Sequence, residues 1–325
     1  MRRDVVNQAL RFQSPARLPY ELPDPYGSDI LWTNLAPTPD GRFGNGVDEW
    51  GAVWENVGIG WMGEVKNPPL KEWSGWDQLP IPDIRAAHRW TFLDGLRERA
   101  GDRFILGHTV SLYERVHFLR GLENTWADIY EAPRELARLL DLLVDMDMYI
   151  IERYAAAGVD GFFMSDDWGL QDRLMISPAK WREIWKPRYA KLFKAARAAG
   201  LSTFLHSCGY IVDILDDLIE IGLEAIHMDQ QENMGLEMLG RRFGGRLTFY
   251  CPVDIQQTMC KGTPDQVRAY ARQMVRTLGR PQGGIIVRWY GDPVGAGHSQ
   301  ENLDVMCREF LKINQEMADG TWKWA

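Results

Sequence analysis

An α/β chain folded as a (β/α)8 barrel of the TIM type is the architecture this 325-residue sequence predicts, and two patterns carry that reading. First, a helical segment ends in Gly five times and a short apolar strand begins a few residues later. The units run from Ala157-Gly158 to Gly161-Phe162-Phe163-Met164, from Ala199-Gly200 to Thr203-Phe204-Leu205, and from Ile221-Gly222 to Ala225-Ile226-His227. Gly244-Gly245 leads to Leu247-Thr248-Phe249-Tyr250, and Leu278-Gly279 leads to Ile285-Ile286-Val287. Glycine after a helix supplies a left-handed cap, and helices alternating with strands imply a parallel sheet covered by helices. Second, these strands are apolar without strict alternation, the pattern of strands buried on both faces. Roughly seven or eight such units fit a closed barrel better than an open sheet. No Gly-rich phosphate fingerprint follows the first strand, which argues against a dinucleotide-binding fold.

The elements follow in order. Residues 1–17 predict a short amphipathic helix ending near Pro15, and Arg17-Leu18-Pro19-Tyr20-Glu21-Leu22 a first strand. Residues 23–83 are rich in Gly, Pro and Trp and read as a cap with a few short strands, inserted in one barrel domain spanning residues 1–325. A loop of that length in a compact protein is usually a lid or a wall of a site. A helix is expected over residues 84–100, a strand over 103–110, and a long helical region over 126–157 broken near Pro133. Ser177-Pro178 and Thr263-Pro264 supply the N-cap and first-turn proline of two later helices.

Composition excludes several classes. A net charge of −8 with no basic stripe argues against nucleic acid. No run of eighteen apolar residues is present, so no membrane span is expected. The N-terminus lacks an apolar secretion signal. The four scattered cysteines, Cys208, Cys251, Cys260 and Cys307, do not form a disulfide framework. A reducing cytoplasm is the expected location. Fourteen tryptophans are enough to line a pocket for a flat or apolar ligand as well as to pack a core.

Barrel enzymes place their chemistry at the C-terminal ends of the strands. The predicted strand containing Thr203-Phe204-Leu205 ends in His206-Ser207-Cys208-Gly209. Residues two apart on a strand share a face, so His206 and Cys208 project together, and an imidazole with a thiolate suits Zn²⁺. The other strand ends contribute Ser165, Asp166 and Asp167, then His227 and Asp229, then Cys251 and Asp254, then Arg288 and Tyr290. Thr109 and Ser111 join from the earlier strand. Asp166, Asp167, Asp254 and Tyr290 are the candidate acid, base and hydrogen-bonding groups. Each has a structural alternative: Asp166-Asp167-Trp168-Gly169 as a turn, Asp254 as a helix cap, Cys251 as a small buried residue, Tyr290 as a packed ring.

The runs Ser165-Asp166-Asp167-Trp168-Gly169, Ile176-Ser177-Pro178-Ala179-Lys180-Trp181-Arg182 and Leu205-His206-Ser207-Cys208-Gly209 resemble the uroporphyrinogen decarboxylase superfamily. The closer resemblance is to its zinc- and corrinoid-dependent methyltransferase branch. Asp48-Glu49-Trp50-Gly51, Pro68-Pro69-Leu70 and Val253-Asp254-Ile255-Gln256-Gln257 are similar to that branch too. The resemblance implies a (β/α)8 barrel and a zinc held by the His and Cys of H-x-C with a later Cys. It also implies methyl transfer between a small methylated compound and a corrinoid on a separate binding protein. The expected partners are therefore a corrinoid-binding protein and a small-molecule methyl donor or acceptor, with a homodimer among the assemblies expected. The later Cys should fall within residues 284–291, where Tyr290 stands nearest and no Cys occurs. The third metal ligand is left to Cys251, Asp229, His227 or Asp166. The arginines that hold porphyrinogen carboxylates are absent from the N-terminal segment. Two rival activities follow: a metal-independent decarboxylase of a tetrapyrrole-like acid, and a metal-dependent hydrolase. A non-catalytic binding protein is the third alternative.

Overall fold

The computed structural model describes residues 1–33, 45–56, 58 and 63–324. Parts of the expected cap, residues 34–44, 57 and 59–62, lie outside the described residues. The strands are β1 (Tyr20–Glu21), β2 (Ile30–Thr33), β3 (Gly46–Val47), β4 (Val53–Asn56), β5 (Gly63–Asn67) and β6 (Phe104–His108). They continue with β7 (Gly161–Ser165), β8 (Ser202–His206), β9 (Ala225–His227), β10 (Thr248–Cys251) and β11 (Ile285–Arg288). Eight of them pair in parallel in the order β1-β11-β10-β9-β8-β7-β6-β2, while β3-β4-β5 form a small antiparallel sheet. The seam between β1 and β2 is nearly closed. The Asp29 N–H donates to the Tyr20 carbonyl at 2.8 Å, and the buried Asp29 carboxylate takes Arg17 at 2.6 Å. The expected (β/α)8 barrel is thus the observed fold.

The α-helices are α1 (Arg2–Leu10), α2 (Leu96–Ala100), α3 (Tyr113–Arg120), α4 (Leu122–Glu131), α5 (Pro133–Ala156) and α6 (Pro178–Ile184). They continue with α7 (Lys186–Ala198), α8 (Val212–Glu220), α9 (Leu236–Phe243), α10 (Thr258–Lys261), α11 (Pro264–Leu278) and α12 (Gln300–Ala318). Among the described residues, no helix is long and apolar enough to cross a membrane.

Two apolar layers fix which way each strand side chain points. The inner layer holds Ile30, Phe104, Leu106, Phe163, Phe204, Ala225, Tyr250 and Ile286, sealed at the N-terminal end by Val6 and Leu10 of α1. The outer layer, between strands and helices, takes the alternate residues Ile105, Phe162, Leu205, Ile226, Phe249, Cys251 and Val287. With a side-chain period of two, residues two beyond the inner ones also face the axis. These are Trp32, His108, Ser165, His206, His227 and Arg288.

Local signals are realised at Ser177, whose Oγ accepts from Lys180 N at 3.3 Å, and at Thr263 and Gln266, which form a capping box. Gly158, Gly200, Gly222 and Gly245 adopt the left-handed conformation expected after a helix. Gly279 does not: its φ is −77°, and a Cβ there would lie 2.7–2.8 Å from Val275 O, Ile285 and Trp324. Close packing, not backbone handedness, accounts for that glycine.

Several expected elements are revised. The first helix stops at Leu10, because Phe12 and Ser14 take positive φ values. The helix expected over 84–100 is a 3-10 segment, Ala87–Leu93, followed by Gly95 at φ +65° and the short α2. The second barrel strand, β2, lies inside the segment read as a cap.

Candidate metal centre

Strand β8 carries Phe204 and His206 to the barrel axis and hands the chain to a loop held against the one after β7. Ser207 is buried, and its Oγ accepts from Trp168 N at 3.0 Å. The Gly169 N–H donates to the Cys208 carbonyl at 3.1 Å, and the Tyr210 N–H to the Leu170 carbonyl at 2.7 Å. The Cys208 N–H donates to Asp167 Oδ1 at 2.7 Å. These bonds need two backbones to touch at Gly169 and Gly209. A Cβ on Gly209, whose φ is +75°, would lie 2.2 Å from Gly169 O.

The result is a three-donor cup. His206 Nε2 lies 3.4 Å from Cys208 Sγ and 3.3 Å from Asp167 Oδ1. The three ligand atoms all fall within 4.8 Å of one another. Burial, then Asp167 and Asp229, push the Cys208 thiol well above its ordinary range, so without a cation it is protonated. A bound cation reverses that preference.

The far side of the His206 ring meets His227. Their Nδ1 atoms are 2.6 Å apart. His227 is buried, and its Nε2 has no hydrogen-bond partner among the described residues. Burial, then Arg288, His206 and His108, hold its pKa well below the usual imidazole value. His206, His227 and Asp229 make a second group of donor atoms within 4.8 Å.

A charged network lies beside this pair. Arg288 donates to Asp229, with Glu21 Oε2 3.9 Å from its Nε. Glu21 also accepts from Trp32 Nε1 at 2.5 Å and from the Tyr250 hydroxyl. Trp32 stacks on His108 with centroids 4.7 Å apart. Sequence reasoning did not single out Glu21 or Tyr250. The available signal was a carboxylate inside the first barrel strand, since a buried acid needs buried partners.

The structure brings His206 together with Cys208 and Asp167 in one donor group and with His227 and Asp229 in a second; Cys251, Asp166, Asp254 and Tyr290 belong to neither. Cys251 faces the outer layer, fully buried, with its Sγ 3.7 Å from Met274 Sδ. Strand alternation sends Tyr250 inward and Cys251 outward, so Cys251 is not a third ligand of this cup. His227 meets Nδ1 of His206, the edge away from Cys208, and belongs to the second donor group. Asp229 groups with the histidine pair and is held by Arg288. Asp166 is fully buried and accepts from the backbone N–H groups of Leu112 (3.2 Å) and Glu114 (2.9 Å) and from the Tyr189 hydroxyl (2.7 Å). It therefore caps α3 and does not face the cup. Burial pushes its pKa up to about 6. Asp254 accepts from the N–H groups of Gln256, Gln257 and Thr258, capping α10. Tyr290 follows β11; burial, then Asp229 and Cys208, push its phenol up to about 12. Ser111 Oγ accepts from Ser165 N at 2.9 Å, a structural role.

A parallel eight-stranded barrel with an imidazole, a thiol and a carboxylate gathered at its strand ends defines the class of site. The family model described as uroporphyrinogen decarboxylase (URO-D) matches residues 60–308, and the chain belongs to that family. No curated protein matches. Among solved structures, a methyltransferase from Methanosarcina mazei is similar over 96% of this chain and 98% of its own, with TM-score 0.70 and 16% identity. That likeness is one of fold. L-ribulose 3-epimerase (TM-score 0.44, 11% identity) covers 74% of this chain and 82% of its own. D-psicose 3-epimerase (TM-score 0.43, 12% identity) covers 70% and 84%.

Proposed function

We propose that this chain is a corrinoid-dependent methyltransferase. It moves a methyl group between a small methylated compound and a corrinoid carried by a separate protein, using a Zn²⁺ held by His206 Nε2, Cys208 Sγ and Asp167 Oδ1. The observation that carries this reading is the donor cup itself. Tetrahedral zinc with Zn–N and Zn–O near 2.0–2.1 Å and Zn–S near 2.3 Å has N···S and N···O edges of about 3.5 and 3.3 Å. The cup has 3.4 and 3.3 Å. Three protein donors are what a catalytic zinc centre uses, leaving one position for substrate. Zinc there would supply a Lewis acid for the heteroatom that carries the methyl group, or hold a thiol as thiolate.

The chain's own residues do the rest. Asp167 is positioned by the Cys208 amide. Asp229 and Glu21 neutralise Arg288, so the inner layer keeps an excess of negative charge toward a cation. Tyr290 stays a neutral phenol at physiological pH and offers an O–H donor. The half-buried Trp32 and His108, stacked on each other in the inner layer, add aromatic surface compatible with an aryl methyl ether or a similarly apolar methyl carrier. Family membership and the fold of the M. mazei methyltransferase agree with this reading.

Metal analysis of the purified protein beside Cys208→Ala tests it. Wild type is expected to retain zinc and the variant to lose it; equal zinc in both removes the metal role. A second reading rests on the family match: metal-independent decarboxylation of a tetrapyrrole-like acid. Against it, Arg288 of the inner layer is already paired with Asp229 and Glu21. Incubation with uroporphyrinogen, with coproporphyrinogen as the product sought, discriminates the two.

A further inference from the structure

The His206 ring is used on both edges. Nε2 faces Cys208 and Asp167, and Nδ1 lies 2.6 Å from Nδ1 of His227. Two ring nitrogens that close must share one proton, since two N–H groups or two bare lone pairs would repel. The owner of that proton decides what Nε2 can do. If His227 owns it, neutral His206 carries its proton on Nε2, pointed at Asp167 and Cys208, and cannot hold a cation. If His206 owns it, Nε2 is a bare lone pair facing the thiol and the carboxylate.

We infer that His227 is a positioning residue: it accepts the Nδ1 proton of His206 and thereby fixes the tautomer whose Nε2 holds the metal. The inference rests on the zinc reading above and adds a role outside the ligand set. A metal-bound histidine usually gives its second N–H to a carboxylate, a carbonyl or water. Here the acceptor is a second imidazole, which the fold keeps in one orientation. The ring of His227 meets Tyr250 at 4.7 Å, Phe163 at 5.3 Å and Trp32 at 6.4 Å, all near perpendicular. This surround also explains the partnerless Nε2. With Nδ1 as acceptor, neutral His227 carries its own proton on Nε2, among aromatic rings that attract an N–H weakly.

The change between the two states balances. The shared proton passes from His227 Nδ1 to His206 Nδ1, the His206 Nε2 proton leaves, and one proton enters at His227 Nε2. Neither ring changes charge.

The test titrates Zn²⁺ alone against a chromophoric chelator in wild type, His227→Asn, His227→Phe and Cys208→Ala. The Asn oxygen takes the place of Nδ1 and accepts the same proton, whereas Phe keeps the ring and removes the acceptor. Zinc affinity is expected to fall about 10–100-fold in His227→Phe and to recover most of that loss in His227→Asn. Unchanged affinity in His227→Phe, with loss in Cys208→Ala, overturns the role of His227 and leaves the zinc reading standing. No zinc binding by wild type, or no effect of either variant, overturns both. Nitrogen-15 NMR of zinc-loaded wild type decides the matter even if His227→Phe does not fold. His206 Nδ1 is expected as the protonated nitrogen; a proton on Nε2, or metal on Nδ1, overturns the inference.

Discussion

Substituting Gly209 by Ala perturbs the junction that holds Asp167 against His206 and Cys208. Two costs arise there. Gly209 has φ +75°, a conformation that costs an L-residue roughly 1–2 kcal/mol. The added Cβ would also lie 2.2 Å from Gly169 O and 2.6 Å from Leu170 O. Both are backbone atoms and cannot swing aside, so the loops must separate, at a further cost of about 1–3 kcal/mol by analogy with overpacked cores. Gly158 separates the two terms, because its φ is +73° and none of the described residues lies within 4 Å of a Cβ placed there. Urea unfolding should show Gly158→Ala losing roughly 1–2 kcal/mol and Gly209→Ala about 2–5 kcal/mol. Separating the loops lengthens the Gly169–Cys208 and Tyr210–Leu170 hydrogen bonds and draws Asp167 from the cup. Zinc affinity, measured by chelator competition, should then fall about tenfold or more in Gly209→Ala and stay at the wild-type value in Gly158→Ala. Equal stability losses with unchanged zinc affinity in Gly209→Ala would refute the argument that this backbone contact assembles the site.

Two further outcomes follow from the same geometry. Asp166 has its folded pKa raised to about 6 from an ordinary 3.8, so the fold binds its proton more tightly than the unfolded chain does. Its contribution is therefore fully present below pH 4 and is lost as pH rises through 6. The stability difference between wild type and Asp166→Asn should shift against wild type by roughly 3 kcal/mol across that window. A difference independent of pH would contradict the burial argument. Cys251→Ser should leave zinc content unchanged while costing about 1–3 kcal/mol in urea melts, because it puts a hydroxyl against Met274 in the apolar outer layer. Loss of zinc without loss of stability would return Cys251 to the ligand set.

The barrel was legible because its signals are local. Gly158, Gly200, Gly222 and Gly245 close helices by backbone conformation, and Pro133 divides α4 from α5, as the sequence pattern indicates. What was missed depends on partners distant in the chain. Helix α3 has no side-chain cap of its own at Leu112; Asp166, from the loop after β7, supplies the acceptor. Strand β2 is four residues long and sits in a Gly-, Pro- and Trp-rich stretch, so composition hid it. The H-x-C pair was visible because His206 ends β8 and Cys208 follows it two residues later in the chain. The third donor was not, since Asp166 and Asp167 are adjacent and a loop gives no parity to say which turns inward. For Cys251 the parity was available: Phe249 and Cys251 share one face and Tyr250 the other.

X-ray absorption at the zinc edge of the metal-loaded protein reads the ligand set without relying on activity or mutation. One sulfur near 2.3 Å with two protein nitrogen or oxygen donors near 2.0–2.1 Å is the result that His206, Cys208 and Asp167 require, here about the usual zinc bond lengths. A shell with no sulfur, or with two, would contradict it.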